Sequence, residues 1–106
     1  MNNFLWQRYG LSDINGKRII GVLSRFPEVR EAVLFGSRAK GNYRPGSDID
    51  IAVKGAVSKN VLSALLVAFE ETVLPYFVDI VVYDHIKNQA LREHVDRVGI
   101  SIYSAR

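Results

Sequence analysis

The sequence contains no cysteine, only three prolines and no long apolar run. Without cysteine, neither a disulfide framework nor a thiolate metal site can form, and a small secreted scaffold is disfavoured. The longest apolar stretch, residues 61–69, is far shorter than the ~20 residues that a membrane-spanning helix needs. The first ten residues lack the basic region and the apolar run of a signal peptide. We therefore expect a cytoplasmic protein.

The charge balance is mildly basic, with 14 lysines and arginines against 11 acidic residues, a net charge of +3. Such an excess is common in ordinary domains and only weakly indicates an anionic partner, such as a nucleotide. No predicted helix carries the dense basic stripe that nucleic-acid binding favours, so direct nucleic-acid binding is not expected. The 106 residues fit one globular domain, residues 1–106, with no room for a second.

The spacing of apolar residues predicts helices that alternate with short strands. Helices are expected at residues 12–26, 58–74 and 84–98, each following a Ser or Asp that can cap it. Strands are expected at residues 31–35, 48–53 and 77–83, with a short edge strand at residues 100–103. Residues 36–47 are glycine-rich and basic, which predicts a loop with a brief helical turn. The predicted fold class is α/β or α+β, a small mixed sheet flanked by helices.

Three aspartates occupy strand positions that would ordinarily carry apolar side chains. Asp48 and Asp50 are two residues apart in an alternating strand and therefore point to the same face. Asp79 interrupts the β-branched and aromatic run FVDIVVY. Buried carboxylates need cations, and Lys54 is the only lysine at these strands. Two magnesium ions about 3.5–4 Å apart would satisfy all three acids and would also bind substrate phosphates.

A glycine-rich turn before the aspartate pair is predicted to bind phosphates. Gly36 and Ser37 follow an apolar strand, where a backbone without a Cβ can approach a triphosphate and present N–H donors. Arg38 and Lys40 add positive charge. Each feature is common alone, since a Gly-Ser turn is usually a loop and Asp-x-Asp is usually a solvated strand face. The ordered combination, with a further aspartate on a later strand, is much harder to explain by chance.

Two histidines are weaker candidates. His85 follows Asp84, where the last helix is expected to begin, and is expected to be an ordinary helix-start residue. His94 lies between Leu91 and Val95 and is expected to be packed or partly exposed. Two histidines nine residues apart do not predict a metal site.

The segment GSRAKGNYRPGSDIDIAV, residues 36–53, resembles the signature of the nucleotidyltransferase superfamily that includes DNA polymerase beta. More closely, it resembles the minimal nucleotidyltransferases of that superfamily. The Gly-Ser pair, the ten-residue spacer and Asp-x-Asp all match, and Asp79 stands where the family places its third carboxylate. The resemblance runs through the whole chain and implies the polymerase-beta-type nucleotidyltransferase fold.

This resemblance implies a magnesium-dependent enzyme that transfers a nucleoside monophosphate, AMP from ATP, to an acceptor hydroxyl. The residues that it assigns to the nucleotide phosphates are Gly36, Ser37, Arg38 and Lys40. The residues that it assigns to catalysis and to two Mg²⁺ ions are Asp48, Asp50 and Asp79. Asp79 would bind the catalytic metal and help to deprotonate the attacking hydroxyl, and pyrophosphate would leave.

Minimal nucleotidyltransferases commonly act with a separate small helical protein, and the resemblance therefore implies a hetero-oligomer. That partner is either a substrate-binding subunit or a HEPN-type toxin that the nucleotidyltransferase adenylylates as its antitoxin. The alternative is a non-catalytic subunit that neutralises or positions the helical partner, against which three clustered acids argue. Within residues 1–11, the aromatic residues Phe4, Trp6 and Tyr9 either fold back on the core or anchor the partner interface.

Overall fold

The structure, a computed structural model, describes residues 4–105 of the chain. Its helices are α1 (Asp13–Leu23), α2 (Gly36–Lys40), α3 (Lys59–Glu70) and α4 (Gln89–Val98). Its strands are β1 (Val29–Phe35), β2 (Ile49–Gly55), β3 (Val78–Val82) and β4 (Ile100–Ser104). Short 3-10 turns lie at Trp6–Tyr9 and Tyr83–His85. None of the helices in the described part is long and apolar enough to cross a membrane.

The four strands form one mixed sheet in the order β3-β2-β1-β4. β1 runs antiparallel to both β2 and β4, whereas β2 and β3 are parallel. Helix α3 makes the crossover between these parallel strands, because a parallel pair cannot be joined by a tight hairpin. The predicted fold class and the predicted edge strand β4 are confirmed.

Helices cover both faces of the sheet. On one face, α1 and α3 pack against alternate strand residues, and Leu23, Leu65 and Ile51 are fully buried there. On the other face, α4 packs its buried Val95 against a smaller group that includes Ala52 of β2. Asp50 lies two residues before Ala52 and therefore points to the face that α4 covers.

Side-chain caps begin the three longer helices. Ser12 accepts from the Asn15 amide at 3.1 Å, and Ser58 caps α3 in the same way. The prediction that Asp84 caps the last helix is wrong. The chain first makes a 3-10 turn, and Asn88 then caps α4 by accepting from the Leu91 amide at 3.0 Å. Asn88 takes this role because its backbone is extended and its side-chain oxygen reaches the first free amides.

Helices α1 and α3 are shorter than their apolar spacing predicted. α1 ends at Leu23 and α3 at Glu70, although the apolar spacing extends to Phe26 and Leu74. Both of these residues precede a proline, and a residue before proline is biased away from helical backbone angles. They still pack against the core from irregular segments. The apolar pattern predicted the burial of Phe26 correctly, but at the second helix it predicted an inward Val73, which is 73% exposed, and Leu74 packs inward instead.

The N-terminal aromatic cluster folds back on the core. Trp6 is only 3% exposed and Tyr9 is 9% exposed, and Phe4 packs edge-on against Trp6 at 4.7 Å. A Cβ at Gly16 of α1 would overlap the Trp6 ring, so the indole lies directly on the helix backbone. Trp6 and Tyr9 therefore belong to the core and do not form an exposed partner surface. Residues 1–3 of the predicted interface segment lie outside the described residues.

Candidate active site

The parallel pairing of β2 and β3 places Asp50 and Asp79 side by side. The two are register partners, and neighbouring strands lie about 4.8 Å apart. On the other side, Asp50 is paired with Phe35, the last residue of β1. Asp48 precedes the first residue of β2 and is exposed. The sheet thus brings two of the predicted acids into register and leaves Asp48 in the loop next to them.

Burial and mutual repulsion act together on Asp50. Partial burial, followed by the negative charges of Asp79 and Asp48, raises the pKa of its carboxyl from 3.8 to about 6. The charge of Arg38 opposes this shift. The ion pair found among residues 4–105 joins Lys54 to Glu31 at 3.8 Å, so the lysine of β2 does not neutralise the acids. The cluster carries excess negative charge near neutral pH.

Gly36 places the predicted phosphate turn directly against this cluster. Its φ is +75°, a left-handed conformation that glycine adopts readily. A Cβ at this position would also overlap Oδ2 of Asp50. Two independent constraints therefore require glycine here. Ser37 follows in the first turn of α2 and is half-buried, whereas Lys40 is exposed at the end of this short helix.

Arg38 does not face the predicted phosphate position. Its side chain is 1% exposed, and its guanidinium donates to the backbone carbonyls of Tyr9 at 2.9 Å, Gly10 at 3.2 Å and Ser47 at 2.8 and 3.2 Å. The ring of Tyr76 packs 4.7 Å from the guanidinium carbon. These contacts do not fit the phosphate contact that the sequence predicted for Arg38, because the charged group is enclosed by backbone and aromatic rings.

His94 is a residue of this site that the sequence analysis missed. The Gly36 amide donates to Nε2 of His94 at 3.2 Å, and the imidazole packs edge-on against Phe35 with ring centroids 6.0 Å apart. An accepting Nε2 requires a neutral ring with its proton on Nδ1. The sequence predicted only that His94 is packed or partly exposed, since nothing in the local pattern connects α4 to a turn 58 residues earlier. α4 is thereby joined to the phosphate turn.

The comparison with known families identifies the chain. The model of the family described as "Polymerase beta, Nucleotidyltransferase" matches residues 17–106. The chain belongs to this nucleotidyltransferase family. The recognition made from the segment at residues 36–53 is confirmed, together with the enzyme class.

Three known proteins are similar to this nucleotidyltransferase. "Putative protein adenylyltransferase MJ0435" of Methanocaldococcus jannaschii is 35% identical over 85 residues, which cover 76% of this chain and 90% of the relative. The crystal structure of a toxin-antitoxin with AMP-PNP contains a chain of 27% identity and TM-score 0.70, with 87% of this chain and 75% of that chain covered. The toxin-antitoxin MntA-HepT contains one of 25% identity and TM-score 0.60, with coverage of 89% and 74%. The predicted polymerase-beta-type fold is confirmed.

The donor chemistry of the nucleotidyltransferase site fits magnesium. Asp48, Asp50 and Asp79 offer hard carboxylate oxygens, which Mg²⁺ prefers, and the raised pKa of Asp50 shows that these acids share one electrostatic environment. Within residues 4–105, the acids are not drawn together into a ready-made metal shell of three ligands. The nucleotidyltransferase therefore presents the donors that Mg²⁺ needs, with Asp48 the one least held by the sheet.

A cavity of about 310 Å³ opens beside Asp79. It lies between α3 and β3, and the apolar side chains around it include Leu66, Tyr76 and Phe77. Asp79 is exposed and is among the residues that line this cavity, but its register with Asp50 directs its side chain to the sheet face that α4 covers, opposite α3. The cavity therefore adjoins the edge strand that carries the third carboxylate.

Proposed function

We propose that this nucleotidyltransferase uses Mg²⁺ to transfer AMP from ATP to a hydroxyl of a separate helical HEPN-type protein, as the antitoxin of a toxin-antitoxin pair. The observation that carries the proposal is the packing of Gly36 against Asp50, beside the Asp50–Asp79 pair. A phosphate-binding turn and a metal-binding carboxylate pair must adjoin for nucleotidyl transfer. The relative named as a protein adenylyltransferase and the toxin-antitoxin with AMP-PNP support adenine as the base.

The residues divide into a nucleotide side and an acceptor side. Gly36 and Ser37 bind the phosphates through backbone N–H groups and the Ser37 hydroxyl, and exposed Lys40 adds a positive charge. Asp48, Asp50 and Asp79 would hold two magnesium ions, which would neutralise negative charge on the phosphates of the transferred nucleotidyl group and of the leaving pyrophosphate. In this proposal the α-phosphorus lies beside Asp79.

Asp79 acts as the general base for the acceptor hydroxyl. Its exposed carboxylate accepts the proton of the acceptor hydroxyl, and the hydroxyl oxygen forms a bond to the α-phosphorus. The bond between the α-phosphorus and the bridging oxygen breaks in line, and pyrophosphate leaves. The product is AMP esterified to the partner. We place this reaction in the cytoplasm, where the sequence predicts the protein to reside.

The decisive experiment is the intact mass of the partner. The chain is co-expressed with a small helical HEPN-type protein, taken from the adjacent reading frame if one is encoded there, and the purified complex is incubated with ATP and Mg²⁺. We expect the partner to gain the mass of one or more AMP units, and EDTA or the variant Asp48→Ala/Asp50→Ala to abolish the gain. Replacing ATP by GTP or CTP tests the base preference. A complex that neutralises the toxin without any mass gain would instead establish the non-catalytic alternative.

A further inference from the structure

We propose that Arg38 is a positioning residue that fixes the Ser47–Asp48 peptide, and with it the Asp48 carboxylate, relative to the phosphate turn. This inference rests on the proposed role of Asp48 in holding the metal. It starts from the burial of a full positive charge with no acidic hydrogen-bond partner: within the described part of the chain, the guanidinium bonds only to backbone carbonyls.

The bonds of Arg38 converge on the end of one loop. Nε donates to the Ser47 carbonyl at 3.2 Å and Nη2 donates to the same oxygen at 2.8 Å. The turn before it is closed by Ser47 itself, whose amide donates to the Arg44 carbonyl at 3.0 Å and whose Oγ accepts from the Arg44 amide at 2.8 Å. Arg38 therefore holds the carbonyl of the peptide that enters Asp48, and the turn holds the Ser47 residue that precedes it.

Asp48 depends on this support on its N-terminal side, because the backbone hydrogen bonds toward β3 begin only with the Ile49 amide, which donates to the Phe77 carbonyl at 2.9 Å. The register of β2 with β1 ends at Asp50, and the register of β2 with β3 begins at Ile49. Asp48 is exposed and outside the strand. The nearest fixed point along the chain on its N-terminal side is the Ser47 carbonyl, which Arg38 binds. A misplacement of about 1 Å at a reacting centre can cost about 10²-fold in rate.

The other contacts of Arg38 fix the guanidinium itself. Nη1 donates to the Tyr9 and Gly10 carbonyls of the N-terminal turn, and the rings of Tyr76 and Tyr43 pack at 4.7 and 5.3 Å from its central carbon. Tyr76 lies three residues before Asp79. The planar fork of arginine is needed for this set of carbonyls and rings, since a lysine ammonium cannot match the two directions or stack in the same way.

The test is a double-mutant cycle read as the dissociation constant of ATP, with and without Mg²⁺, in calorimetry of the full chain. We expect Arg38→Met to weaken Mg²⁺-dependent ATP binding about tenfold or more, the usual effect of removing a residue that orients a metal ligand. In the Asp48→Ala background, Arg38→Met should raise the dissociation constant of ATP in the presence of Mg²⁺ by less than about threefold. ATP binding in EDTA should not change. Arg25→Met, which removes an exposed cation at the end of α1, is the matched control.

Each outcome separates the positioning role from the proposed function. Equal, additive losses in both backgrounds, or weaker ATP binding in EDTA, would show that Arg38 contacts the phosphates directly and would overturn the proposal. If Asp48→Ala leaves Mg²⁺-dependent binding intact, the metal role of Asp48 is what fails. Should Arg38→Met not fold, Arg38→Lys and Tyr76→Leu take its place. They should show the same non-additivity with Asp48→Ala, and additivity there would equally refute the proposal.

Discussion

Three effects oppose the ionisation of the Asp50 carboxyl: its own partial burial, the charge of Asp79 and the charge of Asp48. Together they raise its pKa from the ordinary value of 3.8 to about 6. A folded-state pKa above the unfolded one means that the folded protein binds this proton more tightly. The resulting stabilisation is fully present below about pH 3.8 and is lost as the pH rises through about 6. Without metal, ionised Asp50 therefore destabilises the fold at neutral pH.

Asp50→Asn should therefore stabilise the metal-free protein in a pH-dependent way. We expect a gain of about 1–2 kcal/mol in the free energy of unfolding near neutral pH, after the shift is reduced for solvent screening. The gain should shrink towards zero as the pH falls below 4, because the wild-type carboxyl is then protonated in both states. Urea unfolding in EDTA at a series of pH values measures it. A gain that grows on acidification would contradict this assignment.

Replacing Asp79 should lower the rate of transfer without lowering the stability of the fold. Its side chain is exposed on an edge strand, and it adds to the repulsion at Asp50. Asp79→Asn should melt at or above the wild-type temperature in EDTA and still bind Mg²⁺–ATP measurably. Transfer should fall at least about 10²-fold, since loss of a general base alone typically costs about 10²–10⁴-fold. Asp84→Asn, an exposed acid just beyond β3, is the control. Near-normal transfer by Asp79→Asn would remove Asp79 from the site.

At the scale of elements, strands were predicted from sequence better than helix ends or long-range contacts. The strand at β2 was predicted because its side chains alternate strictly, and the strand at β3 because its residues are β-branched and aromatic, with Asp79 standing out as the one carboxylate in that run. The side-by-side register of Asp50 and Asp79 could not be predicted, since strand order and offset are set by tertiary packing. The same holds for Arg38, which in the sequence is one of several basic residues in a glycine-rich loop, and for His94.

Helix α4 contacts the predicted phosphate turn through His94, whose Nε2 accepts a hydrogen bond from the Gly36 amide. We expect His94→Ala to expose that amide and to increase its hydrogen-exchange rate by roughly 2- to 12-fold, the equivalent of about 0.5–1.5 kcal/mol for one hydrogen bond. His94→Gln can still accept and should retain part of the protection. Glu93→Ala, an exposed neighbour on α4, is the control. Unchanged exchange of the Gly36 amide in His94→Ala would refute the coupling between α4 and the turn.

At the scale of the whole molecule, the burial of Trp6 and Tyr9 means that the expected partner surface does not consist of these N-terminal aromatic residues. Trp6 lies on Gly16 within the core. Replacing Trp6 by alanine should therefore lower the free energy of unfolding. Trp6→Ala should cost about 3–5 kcal/mol, the usual range for a large aromatic residue removed from a core. Thermal and urea unfolding measure this loss. An unchanged melting temperature would show that the indole contributes little to the core and would restore the N-terminal segment as a candidate interface.

Exposed apolar side chains instead lie next to the Asp79 cavity. Phe77 is 65% exposed and Leu66 is 36% exposed, and both border that cavity. Phe77 lies two residues before Asp79 in the same extended segment, so a partner that brings its hydroxyl to Asp79 is expected to cover Phe77. Phe77→Ala should therefore weaken association with the helical partner by about thirtyfold, the equivalent of 2 kcal/mol for a truncated aromatic anchor. Its melting temperature should stay close to that of the wild type.

Ile14→Ala, which removes an equally exposed apolar side chain on α1, should leave the dissociation constant unchanged. Calorimetry or surface plasmon resonance of the purified pair measures both variants, and equal losses for Phe77→Ala and Ile14→Ala would show that the partner does not approach through the Asp79 cavity.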